Sequence, residues 1–348
     1  MRTRSSTLRD VANRAGVSVG AASKAFNNKG KLSVETRRRV LEAAADLHFV
    51  PNALIRSLQR GKTNTIGALT WEVSEFSPVD ITMRLWRGIS RGVAAAHRDI
   101  LIYSHLPERS QTDMAAIFMD GRADGLILGW EEVNGRSLEA LAAANFPTVV
   151  LYNPAAPVGL GYVDVDNRAG VATAVDYLAS LGHRRIAFWA PYRTFNYVDR
   201  AEGYREGMRR NNLPVEQELC LSHENRSLTQ VAEAWGDGLQ QDCSHFLSLT
   251  ERPTAIILGD DAGALTWMRM LQERGLWIPQ DISVVGFDDV AGAIAPPGLT
   301  TIRQPAEEVG RLAARFIDAL LNGASASECR ATLPVELVIR GSTGPPAR

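Results

Sequence analysis

At 348 residues, with 45% hydrophobic and 22% charged residues, the chain is long enough for two or three domains with cores of their own and too balanced in composition to be disordered. Its net charge of -1 conceals a split, because residues 1–62 hold 13 Lys and Arg against 4 Asp and Glu while the remainder holds 25 against 35. A basic block either cancels phosphate charge on a nucleic acid or forms a solvated face, whereas an acidic body is repelled from a polyanion.

Residues 7–48 read as three short helices. Thr7 can cap the first, with Asp10 in its first turn and Leu8, Val11, Ala12 and Ala15 at helical spacing, and Gly16 stops it. Ser18 caps a second helix carrying Ala21, Ala22, Ala25 and Phe26, and the short turn Ala15 to Val17 sets the two at a steep angle. Ser33 caps a third through Val34, Val40, Leu41, Ala44, Ala45 and Leu47, with Arg37, Arg38 and Arg39 predicted on its exposed side, ending before Pro51. Asn52 to Arg60 can start a helix but has few residues to bury, so it is marginal alone.

From Thr65 the pattern changes to short apolar strands alternating with longer amphipathic helices, the signature of a parallel sheet with crossover helices. Predicted strands are Ile66 to Thr70, Ile100 to Ser104, Gly125 to Leu128, Val149 to Tyr152, Arg185 to Trp189, Ala255 to Leu258, Ser283 to Phe287 and Leu333 to Ile339. In the second half, helices are predicted near 167–181, 199–212, 227–249, 262–274 and 305–321. The fold expected is an all-α helix-turn-helix headpiece (1–50), a hinge and linker (51–62) and an α/β body (63–340) of two doubly wound parallel-sheet lobes. One lobe is expected to take about 63–163 with 293–322, the other about 164–292 with 323–340, and 341–348 is expected to be a flexible tail. Ligands of such sheets bind beyond the carboxyl ends of strands, so the loops after these strands should line a cleft.

A helix-turn-helix needs a first helix packed across a second, a tight turn, and small or polar residues on the face that enters the major groove; Thr7 to Asn27 meets all three. Thr7-Leu8-Arg9-Asp10-Val11-Ala12, Ala15-Gly16-Val17-Ser18-Val19, Ser23-Lys24-Ala25-Phe26-Asn27 and Thr36-Arg37-Arg38-Arg39-Val40 resemble the lactose/galactose repressor (LacI) family. The likeness continues in order through Val50-Pro51-Asn52, Arg56-Ser57-Leu58, Asp166-Asn167, Leu181-Gly182-His183, Gly286-Phe287-Asp288-Asp289 and Gln304-Pro305. The resemblance implies a repressor that binds a pseudo-palindromic double-stranded DNA operator as a homodimer. It makes the second helix the reading helix, with Thr7, Leu8, Ser18, Val19, Gly20, Ser23, Lys24 and Asn27 at the DNA. It also implies paired hinge helices in the minor groove, with Asn52, Ala53 and Arg56 near DNA and Leu58 wedged into the central base step. Val19 and Gly20 offer no side-chain hydrogen bond, so direct readout there is limited to apolar contact such as a thymine methyl.

By the same resemblance the body senses a small sugar-like effector and belongs to the periplasmic-binding-protein type. Arg200 is the arginine that binds effector oxygens, and Asp288 the acid after a strand end. Asp260 stands where the family often has asparagine, which favours hydroxyl-rich or cationic ligands over acidic ones. Asn153 is a further candidate, and Trp71, Trp189, Phe195, Tyr197 and Trp235 are aromatics for a sugar's C–H face or, alternatively, for the core.

Competing signals are weak in their context. Gly16-Val17-Ser18-Val19-Gly20 matches the G-x-S-x-G nucleophile elbow, yet Ser18 follows a helix rather than a strand. Gly159-Leu160-Gly161 lacks the third glycine of a dinucleotide fingerprint. Asp260-Asp261 and Asp288-Asp289 follow predicted strands, where carboxylates cap helices or accept ligand hydroxyls; His183 reads as structural; Asp164-Val165-Asp166 alternates as an edge strand would. Cys220, Cys243 and Cys329 have no ligand-like spacing and read as core fillers in a reducing compartment. The opening residues carry no apolar signal segment and no run nears the roughly 18 apolar residues of a membrane span. The expectation is a cytoplasmic regulator with no catalytic set, cofactor, metal or membrane partner.

Overall fold

The computed structural model describes residues 6–27, 32–50, 57, 61–69, 79–103, 114–129, 135–190, 195–222, 228–290, 294 and 296–347, in two units, Met1–Asn64 and Thr65–Arg348. In the first, Leu8–Ala15 (α1), Val19–Asn27 (α2) and Val34–Asp46 (α3) are helical. Thr7 and Asp10 form a reciprocal cap, the Asp10 carboxylate accepting the Thr7 N–H at 2.8 Å. Gly16 ends α1 in the left-handed region at φ 63, where a side chain is disfavoured. The core beneath is made of small residues, Val11, Ala12, Ala15, Ala22, Ala25, Val40, Ala43 and Ala44, which lets three short helices approach closely. Arg38 and Arg39 are exposed as expected and Arg37 is half-buried, and all three have partners. Arg37 donates to the Ala25 carbonyl at 3.0 Å, Arg39 to the carbonyls of Ala15 and Gly16, and Arg38 pairs with Glu35 at 2.7 Å and Glu42 at 2.8 Å. Arg37 and Arg39 fasten α3 to the end of α2 and to the turn, since helix-end carbonyls need donors from elsewhere.

In the second unit the strands are Thr65–Leu69 (β1), Asp99–Tyr103 (β2), Gly125–Leu128 (β3), Thr148–Leu151 (β4), Gly161–Val165 (β5), Ile186–Ala190 (β6), Cys220–Ser222 (β7), Ala255–Leu258 (β8), Ser283–Asp288 (β9), Thr300–Arg303 (β10), Arg330–Leu333 (β11) and Glu336–Val338 (β12). They form two six-stranded sheets, ordered β11-β5-β4-β3-β1-β2 and β12-β10-β9-β8-β6-β7. Every pairing is parallel except β10 with β12. Helices cover both faces, which explains why the central strands are apolar throughout rather than alternating. This is the two-lobed α/β architecture that the alternation predicts.

The last sixty residues are threaded differently from expectation. Residues 293–322 do not all belong with the first lobe: β10 lies in the second sheet, and only the following helix, Ala306–Leu321, packs on the first through Val309, Ala313 and Ile317. The single strand expected at Leu333 to Ile339 is two strands in different sheets, β11 beside β5 and β12 beside β10. Asp164-Val165-Asp166 is not at an edge either, because β5 runs between β4 and β11. The chain therefore passes from one sheet to the other after β5, after β10 and after β11. Sheet membership is settled by the spatial neighbour, which a strand's own sequence does not name.

The tail expected to be flexible is held by hydrogen bonds as far as Gly344. Ser342 is fully buried; its hydroxyl donates to the Val284 carbonyl at 2.6 Å and accepts the Thr300 N–H at 2.8 Å. Gly344 donates its N–H to Ser283 Oγ at 3.0 Å. His183, buried as expected of a structural histidine, lies 2.8 Å from Thr254 Oγ1 through Nδ1 and 2.8 Å from the Gly344 carbonyl through Nε2. The docking uses hydroxyls and backbone, which leave no apolar periodicity to read.

Candidate functional site

Among the described residues, the headpiece presents Ser18, Val19, Gly20 and Lys24 on the outer side of α2, while Ala22 and Ala25 turn into the core. This division follows from helical periodicity, since residues 22 and 25 share one face. Ser18 Oγ accepts the Ala21 N–H at 3.1 Å and so caps the helix. The residue matching a nucleophile elbow is thus a helix cap, with a turn rather than a strand before it. Val19 is 43% exposed, an apolar side chain held out from the start of the helix. Lys24 is exposed and pairs with no carboxylate among the described residues. Thr7 is exposed but its hydroxyl is engaged by Asp10 at 2.7 Å, and Leu8 is half-buried against the headpiece core. Ser23 lies on the same helix and is half-buried. Asn27 ends α2. Asn52, Ala53, Arg56 and Leu58 lie outside the described residues.

The second unit gathers a buried polar cluster at the carboxyl ends of strands from both sheets. Asp164 is in β5, Asp288 ends β9, Asp260 follows β8, and Tyr197 and Arg200 come from the helix Phe195–Arg210 (α8). All are at least nine-tenths buried, as are Tyr152, Asn167 and Gln304. Arg200 Nε donates to Asn167 Oδ1 at 2.8 Å, its Nη1 donates to the Gly259 carbonyl, and its guanidinium lies 3.6 Å from the Phe287 ring centroid. Tyr197 donates to Asp260 Oδ2 at 2.7 Å, while Asp260 Oδ1 accepts the Gly263 N–H at 2.6 Å and caps the next helix. Gln304 Nε2 donates to Asp288 Oδ1 at 2.5 Å. Gly203 permits this placement of α8: a Cβ there would come within 2.4 Å of the Arg168 carbonyl oxygen.

Several features set the cluster apart from ordinary core. Among the described residues, the hydroxyl of Tyr152 and Oε1 of Gln304 are buried without a hydrogen-bond partner, which is uncommon in a folded interior. Asp288 (φ 126), Asp289 (φ 57) and Tyr152 (φ 55) hold positive φ angles that cost an ordinary residue backbone strain. Burial pushes the Asp288 carboxyl well above its usual range despite the opposing charge of Arg200. Burial likewise raises Asp260, and lifts Asp164 to about 6 and Asp261 to about 7. Asp289 behaves oppositely: against the cost of burial, Arg303 and Arg340 hold it below its usual range. Asp261 accepts from Thr301 Oγ1 at 2.5 Å and Val290 N at 2.9 Å, a structural role.

Of the expected effector residues, Tyr197, Arg200, Asp260 and Asp288 come together. Trp189 does not offer its face to a ligand: it is 2% exposed within the second lobe's core, beside Trp267, with Nε1 donating to Asp242 at 2.8 Å. A large apolar ring beside an acceptor is best satisfied inside. Asn153 is buried in a turn after β4, its Oδ1 accepting the Ala155 N–H at 3.0 Å, and makes no bond to the cluster. Trp71 lies outside the described residues, as do the side chains of Phe195 and Trp235. Sequence reading passes over Tyr152, Asn167 and Gln304 as site residues and takes Asp164 for an edge-strand acid. For Asp164 the signal was available, a carboxylate inside an otherwise apolar strand. No group of three potential metal ligands occurs among the described residues.

Known proteins share this architecture. Residues 7–52 match the model of bacterial regulatory proteins of the lacI family, and residues 175–343 match the periplasmic binding protein-like domain. The ribose operon repressor of Escherichia coli (strain K12) is 32% identical over 97% of this chain and 99% of its own length. The transcriptional repressor CytR of the same strain is 30% identical over 97% and 96%. The structure of the lac repressor dimer bound to operator and the anti-inducer ONPF superposes with a TM-score of 0.79 at 25% identity, covering 98% of this chain and 100% of that one. With a helix-turn-helix at its start, two parallel-sheet lobes behind it and relatives matched over nearly its whole length, the chain belongs to the LacI family of bacterial regulatory proteins.

Proposed function

We propose that this chain represses transcription by binding a pseudo-palindromic operator as a homodimer, and that a sugar-like small molecule in the buried polar cluster controls its operator affinity. The observation that carries the sensing half is the cluster itself. Arg200, Asp260, Asp288 and Asp164 converge from both lobes, with the Tyr152 hydroxyl left unpartnered. Such a set costs stability in an empty protein and repays it only when a ligand completes the bonds. The relatives are repressors, one of them of the ribose operon, and carboxylates opposite a guanidinium suit vicinal hydroxyls. The residues are almost wholly buried, so entry and release require the lobes to part. A ligand that favours one lobe arrangement then shifts the population competent for DNA.

On the DNA side, Ser18, Val19, Gly20, Ser23 and Lys24 form the reading surface, with Thr7, Leu8 and Asn27 flanking it. Asn52, Ala53, Arg56 and Leu58 supply the hinge contact by sequence. Dimerisation is supported by Met83 and Ile102, 60% and 54% exposed, on the helix Val79–Ala95 and on β2, the edge strand among the described residues, apolar surface that calls for cover. The chain acts by binding rather than by catalysis, without cofactor, and in the cytoplasm where its DNA lies. No helix among the described residues is long and apolar enough to cross a membrane.

The test is fluorescence anisotropy with duplexes selected from a random pool, across a salt series and with a library of sugars. Binding should weaken steeply with salt, and one sugar class should change the affinity. Absence of salt-dependent binding to any duplex would overturn the regulator; DNA binding indifferent to every ligand would overturn the sensor.

A further inference from the structure

We propose that the ligand for which this cleft is built carries a protonated amine among its hydroxyls, an amine-bearing polyol rather than a neutral sugar or a sugar acid; this rests on reading the cluster as the effector site. The hydrogen-bond inventory leads there. Asp164 uses Oδ1, accepting the Val165 N–H at 2.7 Å and Asn167 Nδ2 at 3.5 Å, and its second oxygen meets no donor among the described residues. Asp288 uses Oδ1 for Gln304, and its second oxygen also meets none. Among the described residues, Gln304 Oε1 is a buried acceptor without a donor, and the Tyr152 hydroxyl, nine-tenths buried, has no partner. The charges of Asp288, Asp164 and Arg200 all act on that hydroxyl. The open groups are thus three acceptors, one hydroxyl and the second terminal nitrogen of Arg200, so acceptors outnumber donors.

Charge points the same way. Asp164, Asp260 and Asp288 are buried, each within the field of Arg200, whose Nε and Nη1 already serve the neutral oxygens of Asn167 and Gly259. Asp199 and Asp166 add to the field at Asp164, as Asp260 and Asp261 do at Asp288, with Arg200 opposing both. An ammonium group brings three donors, no acceptor and the missing positive charge. A neutral hydroxyl brings one donor and leaves its own lone pairs facing acceptors. A phosphate or carboxylate meets repulsion from every side but one.

The experiment uses the full chain at pH 7.5, with thermal shift followed by calorimetry on matched sets. Each set contains an amine, its hydroxyl parent and its charge-free N-acetyl form, such as glucosamine, glucose and N-acetylglucosamine, and galactosamine with its counterparts. Deoxynojirimycin, glucose 6-phosphate, gluconate and calcium chloride complete the panel. At least one amine should bind about tenfold or more tightly than its hydroxyl and N-acetyl partners. That ratio should shrink in Asp288→Asn and, should that variant fold poorly, in Asp164→Asn. It should also shrink as pH falls from 7.5 through 6, where Asp164 takes up a proton. A neutral member that binds as tightly as its amine overturns the charge argument while leaving the effector reading intact. An acid or calcium binding best, or no amine binding at all, overturns it as well. Failure of the regulator reading shows separately, as loss of salt-dependent DNA binding.

Discussion

Replacing Ser342 by alanine removes one oxygen atom and should weaken the second lobe more than its place near the chain's end suggests. That hydroxyl stands between Thr300 N–H, from which it accepts at 2.8 Å, and the Val284 carbonyl, to which it donates at 2.6 Å. Ser342 and Thr300 are both fully buried, so in Ser342→Ala the Thr300 N–H loses its partner with no water to replace it. An orphaned buried donor costs about 1–3 kcal/mol and the lost second bond about 1, giving roughly 2–4 kcal/mol together. Thr343→Val is the comparison: its hydroxyl meets only those of Tyr177 and Thr300, at 3.0 and 2.9 Å, so no backbone group is stranded and the cost should stay near 1 kcal/mol. Urea unfolding followed by tryptophan fluorescence reports on the lobe directly, because Trp189 and Trp267 lie in its core. With an m-value of about 3 kcal/mol/M, Ser342→Ala should lower the midpoint by about 1 M. A loss below about 0.5 kcal/mol, or one no larger than that of Thr343→Val, would refute the reasoning that buried backbone satisfaction docks the tail.

Asp164 makes the empty sensor pH-sensitive in a defined direction. Its folded carboxyl titrates near 6 against an ordinary 3.8, chiefly through burial, so its protonated form contributes stability that is full below pH 4 and lost as pH rises through 6. Asp164→Asn should therefore match the parent near pH 4 and exceed it by roughly 3 kcal/mol at pH 7.5 in denaturant titrations; equal gains at both pH values would contradict the assignment. Gly203→Ala must push α8 off the Arg168 carbonyl, 2.4 Å from the new Cβ. It should lower effector affinity at least about tenfold by displacing Tyr197 and Arg200, and unchanged calorimetric affinity would count against the close-approach argument. Leu58→Ala should weaken operator binding strongly in gel shift while leaving the sensor's melting temperature alone. An unchanged dissociation constant would dismiss the wedge read from sequence.

What sequence could and could not convey follows from the range of each interaction. The headpiece helices are legible because Thr7 with Asp10, Gly16, Ser18 and Ser33 act within a turn of their own position. The central strands are legible as short apolar runs between polar turns. Arg200, Asp260 and Asp288 were reachable because strand ends and a family likeness point to them. The remainder depends on distant partners. Nothing local says that Arg37 and Arg39 reach carbonyls 12 to 24 residues away. Nor does anything local say that Trp189 finds Asp242 or that Ser342 completes β9 and β10. The Tyr152 hydroxyl is visible as part of a site only after folding, because what marks it is a missing partner.

The threefold passage of the backbone between the sheets bears on how such a protein can be recombined. Neither lobe is a continuous stretch, so no single cut separates them, and a chimaera exchanging one lobe must splice at each passage, after β5, after β10 and after β11. The reading unit is one uninterrupted segment ending before β1, and a single junction transfers it. Exchange of DNA specificity is therefore a one-step change for this architecture, whereas ligand specificity must be altered residue by residue within a sensor inherited whole.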